Sequence, residues 1–86
     1  MSELREHRLK RLSMRSMRRG IKEMDIILSR YAELRLDGFD DATLDRYDAL
    51  LSENDQDLYQ WVSGQTPPPE SLRDMILDIS EVAFRR

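Results

Sequence analysis

Cysteine is absent from this 86-residue chain, and histidine occurs once, as His7. These shortages exclude a disulfide framework, a thiolate zinc site, an iron–sulfur cluster and a catalytic thiol. Within one chain a lone histidine near the start also argues against a metal site built on histidines and against a Ser-His-Asp triad. Long apolar runs are missing too. None exceeds three residues, Ile26-Ile27-Leu28 and Met75-Ile76-Leu77 being examples, so no segment reads as a membrane span or a secretory signal. Together these absences predict a cytoplasmic helical protein that inserts into no membrane, binds no metal and is not an enzyme.

What is present favours helix. Charged residues make up 36% of the chain and hydrophobic ones 40%, too much apolar content for the composition of a disordered segment. The net charge of −3 hides an asymmetry: residues 1–22 carry eight Lys/Arg against Glu3 and Glu6, net +6, and the rest carries six Arg against fifteen Asp/Glu, net −9. A chain this short is one domain. Residues 1–86 are therefore read as a basic N-terminal helix, about 3–17, joined to an acidic helical body, about 21–85.

Glycines and prolines mark where the chain turns. Gly20, Gly38 and Gly64 each follow a helical pattern, Pro67-Pro68-Pro69 precedes the last pattern, and Ser52-Glu53-Asn54-Asp55 makes a further polar break. The first segment puts Leu4, Leu9, Leu12 and Ser16 inward, the second Met24, Ile27, Leu28, Tyr31 and Leu34. After an Asp40 cap, Leu44, Tyr47, Leu50 and Leu51 follow. A short helix capped at Asn54 or Asp55 carries Leu58, Trp61 and Val62. The last, starting near Pro69, has the most regular stripe: Leu72, Met75, Ile76, Ile79, Val82 and Ala83. No strand pattern competes. The predicted fold is all-α, a small five-helix antiparallel bundle with Trp61 in its core.

The densest run of chemistry is Met14 to Asp25. Three arginines, Arg15, Arg18 and Arg19, precede Gly20, and Glu23 and Asp25 open the next helix, where carboxylates favour the positive end of the helix dipole. Two readings stay open from the residues alone. Arg19 and Glu23, four apart, can pair internally. Alternatively, Gly20 lets a partner approach the backbone, with Arg19 and Glu23 flanking the contact. A generic helical interaction module, including a nucleic-acid-binding or antitoxin-like protein, is the competing function class. Arginines without interleaved aromatics on an acidic body speak against nucleic acid.

Arg19-Gly20-Ile21-Lys22-Glu23 resembles the RGxxE motif of the succinate dehydrogenase assembly factor, or flavinator, family. Met24-Asp25 followed by Ile26-Ile27-Leu28 is similar to that family's continuation, and Asp55-Gln56-Asp57-Leu58-Tyr59-Gln60-Trp61 resembles its D-x-D-L-x-x-W segment. Arg15 stands where many members carry an aromatic residue. The resemblance implies a chaperone-like factor that binds the flavoprotein subunit of succinate dehydrogenase, and in some bacteria of fumarate reductase, and promotes covalent FAD attachment to it. It implies a partner-binding site at Arg18, Arg19, Gly20, Ile21, Glu23 and Asp25, with no catalytic residue. FAD is then the cofactor of the client, and the factor holds none stably. With a helix beginning at once and Glu3 and Glu6 in it, the chain is read as a bacterial, cytoplasmic monomer without a transit peptide.

Overall fold

Two side-chain caps set the register of the middle of the chain. Asp40 accepts from the Thr43 backbone N–H at 2.8 Å and from the Thr43 hydroxyl at 2.6 Å. Asn54 accepts from the Gln56 N–H at 2.8 Å. In the computed structural model, which describes residues 3–84, the helices are α1 (Arg5–Arg15), α2 (Lys22–Arg35), α3 (Asp41–Leu51), α4 (Asp55–Val62) and α5 (Arg73–Phe84). Short 3-10 turns at Leu36–Gly38 and Glu70–Leu72 end α2 and introduce α5. Among the described residues there is no strand, and the fold is an all-α bundle. No helix of these residues is long and apolar enough to cross a membrane.

One core draws on every helix. It contains Leu12 of α1, Met24, Leu28 and Tyr31 of α2, Leu44, Tyr47 and Leu50 of α3, Leu58 of α4, and Ile76 and Ile79 of α5, all at most 1% exposed. The rings of Tyr31, Phe39 and Tyr47 form a triangle with centroids 5.7 to 6.2 Å apart, within the range of favourable tilted contacts. Three inward assignments need correction. Leu4, the residue just before α1, is 60% exposed, because the chain there is still extended and has no helical face to turn inward. Leu34 is 57% exposed. It lies about 90° around α2 from the mean direction of Met24, Leu28 and Tyr31, too far to share their face. Trp61 is only partly buried and packs against the core from outside. Leu58 and Val62, on the adjoining strip of α4, take the interior instead.

Helix α1 buries little besides Leu12 and Ser16 and is held largely by charge. Arg5 lies 3.7 Å from Asp41, Arg8 pairs with Asp45, Arg11 lies 3.2 Å from Asp48, and Arg15 reaches Asp48 and the Ser52 hydroxyl. Three- and four-residue steps on α1 match those on α3, so two helix faces form a ladder. Part of the basic surplus is thus consumed inside the molecule.

Candidate functional site

The turn between α1 and α2 begins at a buried polar contact. Ser16, fully buried, donates its hydroxyl to the Leu12 carbonyl at 2.8 Å and meets the Tyr47 hydroxyl at 2.5 Å. Burial pushes the Tyr47 phenol up to about 12, against the opposing influence of its Ser16 hydrogen bond, so this hydroxyl stays protonated. The chain then reverses at Arg18, whose φ of 56° lies in the left-handed region. An arginine there is held by its backbone N–H, which donates to Asp25 Oδ1 at 2.9 Å. Asp25 also accepts from the Ser29 hydroxyl at 3.3 Å.

Arg19 turns away from Glu23. Its Nε donates to Asp55 Oδ1 at 2.7 Å, Nη1 to the Arg15 carbonyl at 2.9 Å and Nη2 to the Leu51 carbonyl at 3.0 Å. The other carboxylate oxygen of Asp55 accepts from the Gly20 N–H, also at 2.7 Å. One carboxylate therefore grips two successive residues of the turn. It sits in the first turn of α4, where the helix dipole favours negative charge. The Arg19 and Asp55 side chains are only 11% and 17% exposed, so this pair is shielded from solvent. The internal Arg19–Glu23 pair is not formed.

Gly20 has a packing reason. A Cβ there would lie 3.1 Å from Asp55 Oδ2, tighter than ordinary contact. The close approach that the sequence reserves for a partner is made by Asp55 of the same chain. Around the clamp, Arg18, Gly20 and Glu23 are exposed, Ile21 is half-buried against the core, and Asp25 is half-buried under the turn. Glu23 has no ion-pair or hydrogen-bond partner among the described residues. The six expected residues thus lie together, Arg18 to Ile21 on the turn and Glu23 and Asp25 in the first turn of α2, but divide in kind. Arg19 and Asp25 fix the backbone, whereas Arg18, Gly20 and Glu23 face outward. Asp55 is the member that sequence reasoning missed. In the sequence Asp55 reads as a helix start, and only the joint presence of the two motifs hints at their contact. Among the described residues no cluster of three or more His, Asp or Glu side chains is placed to hold a metal ion.

Fold and turn define a small all-α bundle whose α1–α2 turn is clamped by Asp55. Residues 10–83 match the family described as flavinator of succinate dehydrogenase, and the chain belongs to that family. It is similar to proteins named succinate dehydrogenase assembly factor 2, mitochondrial. One, from Meyerozyma guilliermondii, is 44% identical over 75 residues, covering 84% of this chain and 56% of the relative. Another, from Schizosaccharomyces pombe, is 41% identical over 71 residues, covering 83% and 51%. One from Danio rerio is 36% identical over 72 residues, covering 81% and 46%. The chain spans about half the length of the curated relatives it matches. The expectation of a bacterial, cytoplasmic protein is corrected by these relatives, which are named as mitochondrial proteins of fungi and of a fish. It rested on the acidic residues at the start of the chain, and a chain half as long as its relatives carries no such information at its ends.

Proposed function

We propose that this chain is an assembly factor that binds the flavoprotein subunit of succinate dehydrogenase and promotes covalent attachment of FAD to it, without catalytic groups of its own. Family membership supports the class of function. The observation that carries the site is the grip of Asp55 on Arg19 and Gly20, which holds the start of α2 rigid and leaves the Glu23 carboxylate facing outward. A preorganised surface loses little entropy on binding, so more interaction free energy is left to favour one client conformation. In this reading Glu23, Gly20 and Arg18 contact the client, with Ile21 beside them. Arg19 and Asp25 act through the backbone they position. FAD enters as the client's cofactor, and a monomer suffices as the working unit. The test mixes the purified chain, the apo flavoprotein subunit and FAD, and follows flavin fluorescence that survives denaturing electrophoresis. The chain should accelerate covalent attachment. An unchanged rate would contradict the proposal.

A further inference from the structure

We infer that the outward ridge of α1 is a second half of the client contact, shaped for an acidic, amphipathic segment of the partner. This inference rests on the assembly-factor reading and gives it a partner chemistry. Two shallow grooves meet at Arg15. One, ≈ 430 Å³, is lined by His7, Lys10, Arg11, Met14 and Arg15. The other, ≈ 400 Å³, runs past Met17 and Arg18 to Gly20 and Asp55. They make one continuous path from the second turn of α1 to the clamped loop.

The path joins two features that a folded chain ordinarily keeps apart. Met14, 63% exposed, lies on the flank of α1 opposite its buried Leu12, and Met17, 48% exposed, follows it in the turn just past the helix. Around them stand cations of two kinds. Arg11, Arg15 and Arg19 are already paired with Asp48 and Asp55. Lys10 and the Arg18 guanidinium have no ion-pair or hydrogen-bond partner among the described residues. No carboxylate lines the first groove, and the one lining the second, Asp55, is occupied by Arg19 and Gly20.

Charge complementarity therefore selects carboxylates for Lys10 and Arg18, and the methionines select an apolar side chain between them. Methionine is suited to such a role because its flexible thioether adapts to varied apolar surfaces. Nucleic acid would use the cations but leave Met14 and Met17 without apolar partners, so a protein segment fits better. From His7 to Met14 the ridge runs about 10 Å along the helix, the span of about two helical turns.

The test measures equilibrium binding of the flavoprotein subunit by the whole chain, with melting temperature recorded for each variant. Lys10→Glu reverses the unpaired cation of the α1 groove and leaves Arg18, already assigned to the turn's client contact, in place. Met14→Gln, alone, removes the exposed apolar contact without altering charge. Each should weaken binding about tenfold or more at an unchanged melting temperature, and the charge variant should also flatten the salt dependence of association. If the wild type binds and both variants bind equally well, the ridge inference is overturned while the assembly-factor reading stands. If the wild type does not bind the subunit, that reading fails and this inference with it. Wild-type binding to a mixed-sequence oligonucleotide, abolished by the charge variant while subunit binding is unaffected, would also overturn it.

Discussion

Arg19 and Asp55, 36 residues apart, are joined by a 2.7 Å hydrogen bond that ties the RGxxE turn to the start of α4. The same carboxylate takes the Gly20 N–H, so the two sequence motifs are one structural unit. Asp55→Ala should leave a largely buried guanidinium without its carboxylate. The cost is about 1–3 kcal/mol, limited by the carbonyls that Arg19 retains. Gly20→Ala should also destabilise, by about 1 kcal/mol, because its Cβ pushes on Asp55 Oδ2. Urea unfolding of both variants checks this. If Gly20→Ala leaves stability unchanged, the glycine is not required by the clamp.

Trp61 packs against the edge of the core and lines a surface cleft with Pro67, Pro68, Leu77 and Phe84. Truncation to alanine should therefore cost less than the ~3–5 kcal/mol of a fully buried aromatic. As the only tryptophan, it also reports its own environment: its fluorescence should be partly quenched by acrylamide in the folded protein. Complete protection from the quencher would place it in the interior and contradict the structure.

The five helices were legible because their punctuation is local. Asp40 and Asn54 cap, Pro69 precedes the last turn, and Leu44, Leu58 and Ile79 fall where a 3.6-residue period puts them. Leu34 misled because an isolated periodic pattern has no partner to say which edge of the stripe stays covered. The site was legible as a stretch of sequence but not as an arrangement. Nothing local to Arg19 distinguishes a partner four residues away from one 36 away, and the long-range carboxylate won by geometry. The left-handed residue was likewise unpredictable: a glycine stands nearby, yet Arg18 takes that conformation because Asp25 holds its N–H. The basic excess of α1 was visible, but its ladder onto α3 depends on how the helices pack.

Stability should fall at both ends of the pH scale for separate reasons. Burial opposes ionisation of Asp48, but the guanidinium groups of Arg11 and Arg15 outweigh it and lower its pKa, and hydrogen bonds from Thr43 lower that of Asp40. A carboxyl depressed in the folded state contributes stability that is present above its unfolded pKa of about 3.9 and lost as pH falls through the lower folded value. At the alkaline end, burial raises the Tyr31 and Tyr47 phenols, the latter to about 12. Their contribution is complete below the unfolded pKa of about 10 and is lost as pH rises through the folded values. Thermal melts across pH should show a plateau between these limbs, with the acid limb shallower in Asp48→Asn.

Glu23→Ala tests the central claim most directly, through covalent flavin on the succinate dehydrogenase flavoprotein subunit measured alongside the melting curve of the variant. Glu23 has no side-chain partner to lose among the described residues, only a first-turn position worth about 0.3–1 kcal/mol, so melting should shift by about 8 °C at most. Covalent flavin should nevertheless drop toward the level reached without the factor. A variant that melts like the wild type and still supports full flavin attachment would contradict the assignment of this turn as the client-binding site.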